Sequence, residues 1–242
     1  IYFNLMKNNN KTVAIVLARG GSKGIPSKNI VDFCGKPLLA WTINQCNNST
    51  LVDEVWVSSD SEEILKIAES FNCKTLMRPE EYSTDIASSE EAWKHALDFI
   101  EDNFYEVDLV VAPQVTSPLR QSSDIDRAIE AFYNGNFDSM FSACVAGDLF
   151  FWKENAEGML EANNYDYKNR QRRQDIEPIY IENGSFYLFS PNSLNRYKNR
   201  FGNKIGKYVM ESWKMFEIDN YDDLKVCSAL MKEFLLEKEP KN

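Results

Sequence analysis

Val13-Ala14-Ile15-Val16-Leu17 runs without a break into Ala18-Arg19-Gly20-Gly21-Ser22-Lys23-Gly24-Ile25-Pro26-Ser27-Lys28-Asn29. The first part, apolar and rich in β-branched residues, predicts a strand Val13–Leu17 covered on both faces. The second part is a cationic bend. Three glycines let the backbone turn sharply and bring its N–H groups near an anion, while Arg19, Lys23 and Lys28 add positive charge with no acid between Ala18 and Val31. A phosphate cradle at the carboxyl end of a strand has this composition, and ligands of open α/β sheets sit at that end. The order of residues excludes a Walker A loop, whose lysine follows the last glycine and precedes Ser or Thr, and it contains no G-x-G-x-x-G. A glycine turn with solvated lysines is the competing reading. The third glycine, Pro26 and three cations weigh against it.

Outward from this stretch, short apolar runs alternate with helical patterns. Strands are expected at Glu54–Val57, Thr75–Met77, Asp108–Ala112 and Ser139–Val145, and helices at Leu38–Cys46, Glu62–Phe71, Glu90–Asn103 and Asp124–Tyr133. This βαβ rhythm predicts an α/β fold with a mainly parallel sheet and helices on both faces. Ile64, Ile67, Ala68 and Phe71 follow helical spacing behind Ser61 as N-cap, and Ile125, Ala128, Ile129 and Phe132 do so behind Ser123. Ser88 with Glu91 forms a candidate capping box. From about 148 to 178 the rhythm stops, and the segment, rich in Asn, Tyr, Glu and Arg, reads as an inserted arm. Beyond it come a strand Ser185–Phe189, a helix Pro191–Tyr197, a strand Tyr208–Met210 and a helix Asp222–Leu236. Residues 1–10 read as a tail, and 11–242 as one domain.

Composition narrows the function classes. The 37 acids against 27 Lys and Arg give a formal net charge of −10, which argues against a broad nucleic-acid surface and makes a small nucleotide the expected anion. Five scattered cysteines without a C-x-x-C pair read as reduced thiols, so a cytoplasmic home is expected. No apolar run reaches the ~20 residues of a membrane span. His95, the sole histidine, lies in a helical pattern and reads as structural.

The loop Leu17–Asn29 resembles the signature of the acylneuraminate cytidylyltransferases, the CMP-sialic acid synthetase family. Further blocks follow in order: Gly35-Lys36-Pro37-Leu38, Arg78-Pro79, Asp85-Ile86-Ala87-Ser88-Ser89, Gln114-Val115-Thr116-Ser117-Pro118-Leu119-Arg120, Arg172-Arg173-Gln174-Asp175, Asn183-Gly184 and Glu217-Ile218-Asp219. The resemblance implies a Rossmann-like nucleotidyltransferase that transfers CMP from CTP to the anomeric hydroxyl of a nine-carbon keto sugar acid, of the neuraminate or legionaminate type. It also implies a homodimer whose arm reaches the neighbouring subunit. CTP brings about four negative charges, a task that suits Arg19, Lys23 and Lys28.

By the same analogy Asn29, Arg78, Ala87 and Ser89 hold cytosine and ribose. Arg173 takes the sugar carboxylate, and Gln114, Asn183 and Tyr187 add amide and hydroxyl contacts. Asp219 and Glu217 stand two apart, so in an extended segment their carboxylates face one side and suit magnesium. The family usually has Asp-x-Asp here, which leaves Asp219 as the firmer ligand and as an acceptor for the hydroxyl proton. Arg78 on the surface, and Asp219 as a helix-capping acid, are the plainer alternatives. Two other functions stay open: transfer to an eight-carbon acid as in CMP-Kdo synthetases, and nucleotide binding without turnover.

Overall fold

A computed structural model describes residues 11–22, 24–147, 149–175 and 177–236. In chain order the strands and helices are β1 (Lys11–Leu17), β2 (Asp32–Phe33), β3 (Lys36–Pro37), α1 (Leu38–Asn47), β4 (Glu54–Ser59), α2 (Glu62–Glu69), β5 (Lys74–Met77), α3 (Ser89–Asn103), β6 (Val107–Pro113), α4 (Ser122–Gly135), β7 (Ser139–Val145), β8 (Trp152–Glu154), β9 (Leu160–Ala162), β10 (Tyr180–Phe189), α5 (Pro191–Tyr197), β11 (Ile205–Met210) and α6 (Tyr221–Phe234). Seven strands form one sheet in the order β11-β7-β10-β6-β1-β4-β5. Every neighbouring pair is parallel except those made by β10.

The alternation in β1 explains the layers. Val13 and Ile15 point to one face and join Trp56, Val110, Phe189 and the α3 residues Trp93, Leu97 and Ile100. Ala14 and Val16 point to the other, where Val57, Val111, Leu188 and residues of α1, α2, α4 and α6 form the larger cluster. Both faces are sealed because side chains alternate along a strand and each face meets helices.

Most helix starts obey the expected chemistry. The Ser61 hydroxyl accepts from the Ile64 N–H at the head of α2, and Ser88 with Glu91 makes a full capping box on α3. The expectation for Ser123 is overturned: α4 begins at Ser122, and the Asp124 carboxylate accepts from the Gln121 N–H at 2.8 Å. Gln121 is the N-cap and Asp124 the N3 acid of its capping box, and the same carboxylate holds Lys214 in a buried ion pair.

β10 is twice the expected length. Its first half, Tyr180 to Glu182, is polar yet pairs with β7, and the register shifts between Glu182 and Tyr187. Gly184, at φ +61°, lies in that shift. Such a bulge hides the period-two signal of the strand, leaving only the apolar run after it visible in the sequence. In the arm, β8 and β9 pair as a small antiparallel hairpin. The proposed tail falls outside the described residues.

Candidate active site

β1 is the point where the chain's order reverses, with β4 and β5 on one side and β6 on the other. Open α/β sheets carry their crevice at such a place, beyond the carboxyl ends of the strands. A cavity of about 570 Å³ lies there, lined by Leu17 and Arg19 after β1, Gln114 and Thr116 after β6, Lys28 and Asn29 of the loop, the stretch from Arg78 to Ser89, and Asp219.

The glycine loop is braced from within and from β4. Asn29, nearly buried, donates from Nδ2 to the Arg19 carbonyl at 2.8 Å, and the Gly20 N–H donates to Asp60 at 2.8 Å. Lys28 opens a short 3₁₀ turn and reaches across the molecule: its Nζ donates to the Ile218 carbonyl at 2.9 Å and to the Asp219 carboxylate at 3.0 Å. A Cβ on Gly24 would stand 2.0 Å from the Asp219 carbonyl oxygen. Only glycine lets the loop and the acidic segment touch this closely. Lys23 lies outside the described residues.

The acidic segment itself is irregular, not a strand. It hangs between a 3₁₀ turn at Ser212–Met215 and α6. Ile218 is fully buried and its N–H donates to the Thr116 carbonyl at 2.8 Å. Glu217 packs on the β10 bulge, where a Cβ on Gly184 would meet its Oε1 at 2.0 Å and the Gln114 Oε1 at 3.0 Å. Burial and then the charge of Asp219 push the Glu217 carboxyl above its ordinary range, with Lys28 opposing them. Glu217 and Asp219 both offer hard oxygen donors, which suit magnesium. Among the described residues no group of three or more His, Cys, Asp or Glu is placed to hold a metal.

Beneath this segment sits a fully buried charge pair. Lys214 Nζ contacts Asp124 and Glu211, each at 2.8 Å. The Asn183 side chain donates to the Lys214 carbonyl at 3.0 Å and accepts from the Ser185 N–H at 3.3 Å. Asn183 is 1% exposed. It therefore holds the base of the acidic segment and does not reach the cavity, contrary to the sugar contact expected for it.

On the opposite wall, Arg78 is buried, its Nε donating to the Ser83 hydroxyl at 2.9 Å. Burial lowers its pKa, Asp60 opposes that and the nearby Arg19 adds to it. The surface alternative for Arg78 is thereby removed. Ala87 and Ser89 also line the cavity, while Ser88 is committed to capping α3. Arg19 spans the mouth, pairing through Nη1 with Asp85 at 2.8 Å.

Of the sugar-side residues, Gln114 faces the cavity. Tyr187 does not line it: its hydroxyl bonds Glu182, and its ring lies against Trp93 and under Arg200. The strand's alternation turns Tyr187 inward, and the aromatic residues that line the cavity are Tyr82 and the buried Trp93. Arg173 belongs to a 3₁₀ turn at Arg173–Asp175 in the arm. No described residue of the arm lines the cavity. Phe150 and Trp152 each pack against Tyr165 within the arm. His95 rests against Tyr82, in keeping with a structural part.

Two residues that hold the site were not singled out from the sequence. Lys214 is one. Arg120 is the other: fully buried, it donates to the carbonyls of Gln114 (2.9 Å), Ser117 (2.5 Å) and Ser185 (2.9 Å) and to the Thr42 hydroxyl (2.6 Å). Its burial lowers the pKa to about 10. The guanidinium ties the end of β6 to the bulge of β10, behind Gln114. Its place at the end of the Gln114–Arg120 block was the available signal.

Residues 13–239 match the family model described as Cytidylyltransferase. The chain is 38% identical over 227 residues to N-acylneuraminate cytidylyltransferase A of Danio rerio, with 91% of this chain and 51% of that protein covered. It thus spans about half the length of that relative. To the pseudaminic acid cytidylyltransferase of Campylobacter jejuni subsp. jejuni serotype O:23/36 (strain 81-176) it is 30% identical over 228 residues, 92% of this chain and 97% of that one. A solved structure of CMP:2-keto-3-deoxy-manno-octonic acid synthetase complexed with CTP covers 93% of this chain at a TM-score of 0.71 and 15% identity, a likeness of fold. A cavity at the sheet's switch point, walled by a cationic glycine loop and an acidic segment, agrees with a match that runs nearly end to end, and the chain belongs to the cytidylyltransferase family.

Proposed function

We propose that this protein transfers CMP from CTP to the anomeric hydroxyl of a nonulosonic acid and releases pyrophosphate. The observation that carries the reading is the meeting of Lys28 with Asp219 at 3.0 Å, because it brings the cationic glycine loop and the acidic segment together at one cavity. Relatives named for acylneuraminic and pseudaminic acids supply the substrate class.

In this reading Arg19, Lys28 and Lys23 neutralise the triphosphate, and Asn29, Arg78, Ala87 and Ser89 enclose cytosine and ribose. The anomeric oxygen attacks the α-phosphorus while the bond to the β-phosphate bridging oxygen breaks. Asp219 takes the hydroxyl proton, and the leaving group departs as pyrophosphate. Positioning and charge neutralisation dominate such a transfer. Asp219, with Glu217 directly or through water, would hold magnesium, which supplies charge neutralisation to the phosphate oxygens. Gln114 and Trp93 border the acceptor side.

Arg173 would meet the sugar carboxylate as a planar cation, brought by the arm of a second copy in a homodimer. What favours the dimer is the arm's apolar exterior: Phe151, Trp152, Met159, Leu160 and Tyr167 are all exposed, a patch of the kind that marks an interface. A cytoplasmic setting agrees with five free thiols. No described helix is long and apolar enough to cross a membrane.

The test is pyrophosphate release by purified protein given CTP, magnesium and, separately, N-acetylneuraminate, pseudaminate, legionaminate and Kdo. Turnover with a nine-carbon acid is expected. Turnover with Kdo alone would move the acceptor to the eight-carbon class, and CTP binding without turnover on any acid would make the protein a nucleotide binder.

A further inference from the structure

Arg19 is held across the cavity mouth by an acid of the opposite wall. Its Nη1 lies 2.8 Å from Asp85 Oδ1, and the two side chains are 37% and 53% exposed. An ion pair this open to water is worth little, about 0–1 kcal/mol, so it can be exchanged for a stronger partner. The other carboxylate on the loop, Asp60, differs in kind: it accepts from the Gly20 backbone N–H and fixes the loop's path.

The segment carrying Asp85 is fastened at its ends and loose in the middle. At one end Arg78 Nε holds the Ser83 hydroxyl at 2.9 Å, and Tyr82 lies against His95. At the other, Ser88 caps α3. Between them Thr84 to Ala87 form a turn, and Ile86, beside Asp85, is 95% exposed. Apolar burial does not hold the tip, and the Arg19–Asp85 contact lies outside the core.

We propose that Asp85 competes with the nucleotide's phosphates for Arg19, acting as a positioning residue that keeps the guanidinium at the mouth and yields it when the triphosphate enters. The inference rests on the reading of the cavity as a CTP site. A triphosphate offers more charge and more oxygens than one carboxylate, so the guanidinium passes to it. The competition lowers CTP affinity and lets Arg19 be reclaimed as pyrophosphate leaves.

The experiment is calorimetric titration of the full chain with CTP and magnesium, without sugar acid, for the native protein, Asp85→Asn, Arg19→Gln and the double variant. Asp85→Asn keeps the side chain's size and removes its charge. CTP should bind it about two- to fivefold tighter than the native protein, and in the Arg19→Gln background the same change should bring no gain. Equal or weaker binding by Asp85→Asn overturns the inference, since it would make Asp85 a surface acid or a ligand of the nucleotide. A gain that persists with Arg19→Gln also overturns it, because that would be a general effect of one fewer negative charge. Native protein that binds no CTP would remove the functional reading itself, and this inference with it.

Discussion

The glycine loop and the acidic segment meet at one point, yet they keep their shapes by opposite means. The loop is written locally: three glycines, a 3₁₀ turn and an Asn29 side chain that bonds Arg19 ten residues earlier. The acidic segment has no regular structure of its own. Thr116, Gly184, Gly24 and Lys28 grip it from four sides, and buried Lys214 anchors its base. One half of the site is therefore shaped mostly by sequence neighbours, with Asp60 bracing it from β4's end, and the other by residues from nearly every part of the chain. Damage to the second half should propagate further.

The largest effect expected is on the anchor. Lys214→Met takes the buried partner from Asp124, whose Oδ1 keeps only the more exposed Arg127 at 3.0 Å, a loss of about 3 kcal/mol, and urea unfolding should show it. Adding Asp124→Asn should restore part of that loss; a single variant as stable as the native protein would detach Lys214 from the segment's support. Next comes Asp219→Asn, which keeps the fold and should cut pyrophosphate release about a thousandfold. Substantial residual turnover would remove Asp219 from the metal and proton roles. Gly24→Ala follows. Its Cβ must push the Asp219 carbonyl away, and a displacement of about 1 Å costs on the order of a hundredfold in rate. Steady-state turnover measures it, and an unchanged rate would show that the close approach of loop and segment is not needed.

The same contrast explains what the sequence disclosed. The β1 strand, the loop after it and the caps Ser61 and Ser88 were legible because each depends on residues within one turn or one alternation. Lys28 and Asp219 were each legible only as separate site residues, and their contact was not, since 191 residues separate them. Arg120 and Lys214 stayed hidden: a basic residue looks alike in sequence whether it meets solvent or a carbonyl cage, and Lys214 finds Asp124 ninety residues away. Ser123 falls inside α4 because the cap is Gln121, whose N–H meets the Asp124 carboxylate three residues on, a pairing that a serine beside the apolar spacing obscures. Only the family resemblance points Tyr187 and Asn183 toward the sugar. The inward face of β10 and the bulge at Gly184 turn them into the protein instead.

Asn183 gives the finest test, because it separates support of the acidic segment from contact with a sugar. Asn183→Ala strips a donor from the buried Lys214 carbonyl and an acceptor from the Ser185 N–H, which should cost about 1–3 kcal/mol of stability. With no direct contact to the acceptor, KM for the sugar acid should hold steady while kcat falls a little as the segment loosens. A rise in that KM with stability unchanged would return Asn183 to the acceptor site, and would mean that β10 rearranges when the sugar binds. A loss of stability with a steady KM would instead place the residue with Lys214, as part of what gives an irregular segment a single shape.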